Sequence, residues 1–249
     1  MSLAADPILR DRGLVLRWFP VTDTSRVVVW FTREHGRLST LVKGSQRPKS
    51  WTLGQYDLFY TCEVLFYGRA REDLHILREC APLSPRAAFR RDWRACAAAS
   101  FVSDLLYRVS PPMAAAPGVY DLAERTLDLL ADEGPVPALL FWFELHLLRD
   151  LGLAPVLSGE SDGPTVFDVE AGRVRKPGPS DSPQVYPLSG GCRALLQRLS
   201  TLPDPAGTLR LRILPGQVRE LAAHLDRFTA WHLDLSPSSR GLALDLMGR

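Results

Sequence analysis

The spacing of hydrophobic and polar positions changes period near residue 85. Before it, short β-branched and aromatic runs recur: GLVLRWF from Gly13, RVVVWFT from Arg26, RLSTLVK from Arg37, YDLFYTCEVLFYG from Tyr56 and DLHILREC from Asp73. Pro20, Gly36, Gly54 and Gly68 break them apart. Runs of this composition, bounded by turn formers, predict strands. After Pro82 and Pro85, Leu, Ala, Phe and Trp fall at helical spacing over 86–109, 118–132 and 136–152, which predicts helices ending at Pro111-Pro112, Gly134-Pro135 and Gly152. Residues 158–188 lose that spacing, are rich in Gly, Pro, Ser and Asp, and contain one hairpin, TVFDVEAGRVRK, turning at Glu170-Ala171-Gly172. Helical spacing resumes after Ser189, an N-cap, and again from Pro215 through Leu233.

Five or so strands in about seventy residues fit a compact Greek-key barrel of the OB type. The expected class is therefore α+β in two domains. Residues 1–80 form an OB-fold β-barrel suited to nucleic acid, and 81–249 form an α-helical domain in which 158–188 is a hairpin-containing insertion. An apolar fraction of 46% over 249 residues is enough to fill such cores.

The formal charge of +2 conceals an uneven distribution, because the first fifty residues are basic and acidic residues return later. Lysine is confined to Lys43, Lys49 and Lys176; the arginine bias suits bidentate phosphate binding and is equally what a GC-rich genome produces. Cys62, Cys80, Cys96 and Cys192 show no CxxC or CxxH spacing, so reduced, mostly buried thiols are expected, with no metal and no cofactor. No charged leader opens the chain and no apolar run is long enough to span a bilayer, so the expectation is a cytoplasmic, nucleoid-associated protein without a membrane partner.

The chemistry concentrates between Arg26 and Ser50, where two strands run into a loop marked by Gly44 and Pro48. Arg17, Arg26, Arg33, Arg37, Lys43, Arg47 and Lys49 supply cations able to displace counterions from phosphates. Trp18, Trp30, Phe31 and Trp51 are flat side chains on which unpaired bases could stack. Trp30 and Phe31 point to opposite faces of one apolar strand, so at least one belongs to the core, whereas Trp18 and Trp51 are better surface candidates. A second cluster, Arg86, Arg90, Arg91 and Arg94, reads as a solvated helix face or as an extension of the same track.

The stretch from Gly13 to Ser50 resembles the RecO family of bacterial recombination mediators, through Phe31-Thr32, Glu34-His35-Gly36-Arg37, Lys43-Gly44 and Arg47-Pro48-Lys49-Ser50. PALLFWFELHLLRDLGLAP at 137–155 and RFTAWHLDLSPSSR at 227–240 echo later family segments in the required order. The resemblance implies an N-terminal OB-fold, a helical C-terminal domain and no catalytic centre. It also implies binding of single- and double-stranded DNA, annealing of complementary strands, and partnership with RecR and single-stranded DNA-binding protein in recombinase loading. Two features depart from the family. Many members carry a cysteine-rich zinc module at about 158–190, whereas Cys192 alone cannot make a tetrahedral site, so a loop or hairpin held by other means is expected. Phe141-Trp142 stands where some relatives carry basic residues that hold the acidic tail of the single-strand binding protein.

Phe141, Leu145 and Leu148 follow i, i+4, i+7 spacing. The stripe reads either as ordinary helix packing or as bordering a groove for that tail, with Arg149 or another nearby Arg holding its carboxylate. Enzyme signatures are missing: there is no phosphate loop, GxSxG elbow or HExxH. Cys192 lies at a helix start beside Arg193, which would lower its pKa, but no companion base accompanies it. Glu144 and His146, two apart on a helix, are expected as a satisfied polar pair at the edge of the core. The rival to DNA binding is an interaction scaffold whose OB-like domain grips a protein partner.

Overall fold

The computed structural model describes residues 7–68, 74–157, 163–179 and 181–248. Strands β1 (Ile8–Thr22), β2 (Ser25–Thr32), β3 (Gly36–Val42), β4 (Thr61–Tyr67) and β5 (Leu74–Ser84) close into an OB-like barrel in the order β1-β2-β3-β5-β4. At 15 residues, β1 is long enough to pair twice, its first half with β4 and its second with β2. Closure comes from a parallel pairing of β3 with β5, Ser39 opposite Leu74.

The β1–β2 register slips between Val15 and Arg17, so Leu16 is the extra residue of a β-bulge. Strict alternation would bury every second side chain, yet Leu14, Val15 and Leu16 are all buried. The bulge turns Val15 into the barrel core beside Val28, Trp30 and Val64, and the Leu16 carbonyl accepts from Ser103 Oγ at 2.9 Å. Trp30 Nε1 donates to Thr40 Oγ1 at 2.8 Å, which fixes this buried indole. Phe31, on the opposite face, lies 6.1 Å from Tyr120, so both strand aromatics are core.

Six helices follow among the described residues: α1 (Trp93–Val109), α2 (Pro117–Glu133), α3 (Pro137–Asp150), α4 (Gly190–Thr201), α5 (Pro215–Leu233) and α6 (Ser238–Met247). The hairpin anticipated from sequence is β6 (Thr165–Asp168) with β7 (Arg173–Arg175). A third strand, β8 (Val185–Leu188), pairs with the other edge of β6 and was not foreseen. Residues 158–162 and 180 of the expected insertion lie outside the described residues.

Contacts divide the chain into two compact units, Met1–Arg91 with Ser103–Ala131, and Asp92–Val102 with Asp132–Arg249. The barrel's unit thus runs past the expected boundary at residue 80 and takes in nearly all of α2 and the C-terminal part of α1. Arg86 explains much of this. It sits at φ 40° with its guanidinium buried, donating to the Phe59 carbonyl and Thr61 Oγ1 at 2.9 Å each, to Asp128 at 2.8 Å and to Glu124 at 3.0 Å. It is therefore a clamp between barrel and α2, not part of a solvated face. Arg90 lies in a 3-10 turn and pairs with Asp57 at 2.8 Å, while Arg94 belongs to α1, so these two do not share one helix face as their spacing suggested.

In the second unit, α3 is buried from Ala138 through Leu148. The small sheet is held against α5 by rings: Phe167 lies 5.6 Å from His224 and 5.9 Å from Phe228, and His232 Nε2 is 2.8 Å from the Val169 carbonyl. Among the described residues no helix is long and apolar enough to cross a membrane, and no three His, Cys, Asp or Glu side chains are grouped to hold a metal ion.

Glu144 and His146 are both buried but do not pair with each other: Glu144 binds Arg240, and His146 Nδ1 lies 2.9 Å from the Trp142 carbonyl. Burial lowers the pKa of His146, and it lowers that of His224 despite the attraction of Glu220 3.9 Å away. Above the ordinary histidine value of 6.5 both rings are neutral folded or unfolded and contribute no pH dependence. Below it, the unfolded chain takes up protons that the folded chain refuses, so stability falls with pH until the lower folded values are reached. Thermal melts stepped from about pH 7 to about pH 5 are expected to show a falling midpoint, with a shallower fall in His224→Phe. A midpoint that stays level or rises would contradict the assignment.

Candidate nucleic-acid interface

The family-like segment of the N-terminal barrel separates into a structural half and an exposed half. In the first half, the Asp11 carboxylate accepts from the backbone N–H of Glu34 at 3.0 Å and of His35 at 3.1 Å, and lies 2.7 Å from His35 Nδ1. Gly36 follows at φ +68°, where a Cβ would stand 1.9 Å from the Ala114 carbonyl oxygen. Only glycine fits this turn, because both its handedness and its contact exclude a side chain. Arg37 then donates from Nε to the Ser110 carbonyl at 2.7 Å and lies over the Tyr107 ring at 5.0 Å. The Glu34-His35-Gly36-Arg37 motif thus builds a turn and docks it.

Several expected DNA contacts are similarly committed. Arg17 pairs with Asp104 and stacks over Tyr107 at 4.1 Å, and Arg33 holds Asp121 at 3.1 Å and Glu34 at 2.9 Å. Their charges are largely balanced where they lie.

The second half is different. Lys43, Arg47, Lys49 and Trp51 are all exposed, Trp51 by 52%, on the turns joining β3 to β4. No carboxylate partners the three cations among the described residues. The loop is nonetheless shaped by backbone contacts: Gly44 N–H reaches Ser25 Oγ at 3.3 Å, Gln46 N–H the Thr24 carbonyl at 3.1 Å, and Arg47 N–H the Gly44 carbonyl at 3.1 Å. Gly44, at φ +67°, leaves room for the Arg47 stem, whose Cδ would lie 3.4 Å from an added Cβ. A preshaped loop presenting unpaired cations attracts phosphates with little ordering cost.

Beside it, Trp18 leans on the barrel core cluster and carries the Arg26 guanidinium over its ring at 3.9 Å. Arg26 also donates to Gln46 Oε1 at 3.0 Å, linking this stack to the loop. Phe19, Val21 and Leu53 are exposed nearby in sequence and were missed by the sequence reading. Phe19 and Val21 lie on the end of β1, which continues past Pro20 to Thr22, and only the structure shows that this end is exposed. Cations interleaved with exposed apolar and aromatic side chains form the combination that unpaired strands require.

The expected partner stripe is corrected by the fold. Phe141, Leu145 and Leu148 are buried because α3 is covered on every side from Ala138 to Leu148, Glu144 and His146 included, so no face is left to form a groove wall. Arg149 is exposed, 3.5 Å from Asp150. Cys192 is also corrected: Ser189 Oγ accepts from its backbone N–H at 3.2 Å, but burial pushes the thiol up to about 11 rather than down.

Comparison with known proteins agrees with the fold. The family model described as Recombination protein O N terminal matches residues 6–86, and that described as Recombination protein O C terminal matches 90–241. The DNA repair protein RecO of Heliobacterium modesticaldum is 30% identical, with 88% of this chain and 82% of the relative covered. That of Desulforudis audaxviator is 28% identical over 92% and 94%, and that of Chlorobium limicola 24% over 95% and 97%.

Proposed function

The chain belongs to the RecO family of DNA repair proteins, and from that premise we propose that it acts as a recombination mediator without catalytic turnover. It binds single- and double-stranded DNA, anneals complementary strands, and helps to load recombinase together with RecR and single-stranded DNA-binding protein. The observation that carries this reading is the exposed trio Lys43, Arg47 and Lys49 beside Trp51, without carboxylate partners among the described residues.

The mechanism is electrostatic. Cations held on one preshaped loop displace counterions from phosphates, which reduces the repulsion between two strands brought to the same surface. Trp51 offers a face to an unpaired base while the loop tracks the backbone. Because the Phe141, Leu145 and Leu148 stripe is interior, contact with an acidic protein tail falls to Arg149 and side chains outside that stripe.

Fluorescence anisotropy with a labelled single strand, from low to physiological ionic strength, tests the reading. With three or four phosphates engaged, the logarithm of affinity is expected to fall against the logarithm of salt with a slope of about 2 to 3. Affinity indifferent to salt would refute it.

A further inference from the structure

We infer that Arg26 determines the preference for unpaired over paired strands, by covering the Trp18 indole in the free protein and giving that face up to an unpaired base. The inference rests on the proposed DNA binding and adds to it a two-state contact that senses whether bases are free.

The two barrel tryptophans are held differently. Trp30 is fully buried and fixed through Nε1 to Thr40. Trp18 is only partly buried: one side packs against the core cluster, the Arg26 guanidinium lies over the ring at 3.9 Å, and Nε1 is buried without an acceptor. Its ring is therefore placed by packing alone. Cross-strand registers set Trp18 opposite Val28 and Arg26 opposite Val42, and since Val28 and Val42 are core residues, the pair lies on the inward face at the barrel mouth. Mouths of small barrels are where ligands enter.

Arg26 is also loosely held, without a carboxylate partner among the described residues. Arg17, Arg33, Arg86 and Arg90 each bind a carboxylate. Arg26 is held by the neutral Gln46 amide oxygen at 3.0 Å and by the ring beneath it. An exposed cation–π contact is worth about 2- to 5-fold, whereas a base stacked on an aromatic ring is worth roughly 5- to 150-fold in affinity. An unpaired base can therefore take the ring, and the released guanidinium gains a phosphate as its new partner. Duplex bases already stack on one another and cannot make this exchange, so a duplex meets the loop cations while Arg26 stays on Trp18.

The test compares an oligothymidylate, an abasic oligonucleotide of equal length and a duplex, each across a salt series, for the wild type, Arg26→Ala, Trp18→Phe and Trp18→Leu. In Arg26→Ala, the preference for oligothymidylate over the abasic strand, read at the high-salt end of the series where the lost phosphate contact is screened, is expected to rise by about 2- to 5-fold, because the ring is already open. Its salt slope on oligothymidylate is expected to fall by about 0.7 while the duplex slope is retained. Trp18→Leu is expected to cut the preference to what Trp51 alone supplies and to remove its response to Arg26→Ala, and Trp18→Phe to keep part of both. Should Trp18→Leu fail to fold, Arg26→Ala and Trp18→Phe decide the matter. An Arg26→Ala protein whose base preference is unchanged at the high-salt end, or whose slopes fall equally on single strand and duplex, overturns the inference and assigns Arg26 to holding the loop through Gln46. Wild-type protein that binds none of the three overturns the proposed function and the inference with it.

Discussion

Replacing Arg240 by Met is expected to destabilise the helical unit by about 3–5 kcal/mol, measured by denaturant titration. Arg240 comes from α6 and is buried, with its guanidinium between the Glu144 carboxylate of α3 and Asp226 of α5 and Nη2 3.4 Å from the Ala222 carbonyl. Methionine preserves much of the volume, so the loss is not chiefly a cavity. It leaves Glu144 buried without a countercharge, and that is the costly outcome when one partner of an interior ion pair is removed. A second substitution, Glu144→Gln, in the Arg240→Met background is expected to recover a large part of the loss, because a neutral amide requires no countercharge. A double-mutant cycle with near-zero coupling would show that the pair does not act as argued. The pH dependence follows from the same burial. Desolvation raises the Glu144 carboxyl above its ordinary value of 4.5, although Arg240 pulls it back. With the folded pKa raised, the folded state holds a proton that the unfolded state releases, so stability is lost as pH rises from the unfolded towards the folded value. Without Arg240 the opposing pull is gone and that window widens upward, so the deficit of Arg240→Met should shrink in acid.

The sequence disclosed the elements better than their partners. Strand and helix periodicity located the barrel and the helices, because runs such as Arg26–Thr32 and 137–150 carry their burial in their composition. Features that depend on which elements meet were not readable. The bulge at Leu16 breaks alternation where nothing local announces it, and it decides which way Arg17 and Trp18 point. Arg86 reads as one of four clustered cations, and its burial follows only once Glu124 and Asp128 of α2 are brought to it. The stripe Phe141, Leu145, Leu148 has the spacing of an exposed apolar face, yet α3 is buried all round, and only packing reveals that every side, including that of Glu144 and His146, is covered. The same limit applies to the basic residues of the barrel. Charge and spacing alike nominate Arg17, Arg33, Arg37, Lys43, Arg47 and Lys49, but carboxylates from distant helices, or the Ser110 carbonyl in the case of Arg37, engage the first three.

That division makes the loop cations the sharpest test of the whole reading. The triple variant Lys43→Ala, Arg47→Ala, Lys49→Ala is expected to lower single-strand affinity on the order of 100-fold at low salt, taking about 1 kcal/mol for each exposed contact. Its salt slope should fall by about 2, at about 0.7 for each phosphate no longer neutralised. Arg17, Arg33 and Arg37 serve as the internal comparison: because their guanidinium groups are already engaged by Asp104, Asp121 and the Ser110 carbonyl, replacing them should cost stability more than it changes the slope. Stability of the loop variant should remain within about 0.5 kcal/mol of the parent, because all three side chains are exposed. The contacts that shape the loop also survive the substitution, since Gly44 and Gln46 donate from the backbone and Arg47 contributes its own N–H. A triple variant that keeps both its affinity and its slope would show that phosphates are met elsewhere, whereas a lost slope with an unchanged melting transition isolates the effect to charge. If DNA binding stays intact while pull-down of a protein partner fails, the loop instead reads an acidic protein surface, and the rival scaffold reading gains the support that DNA binding loses.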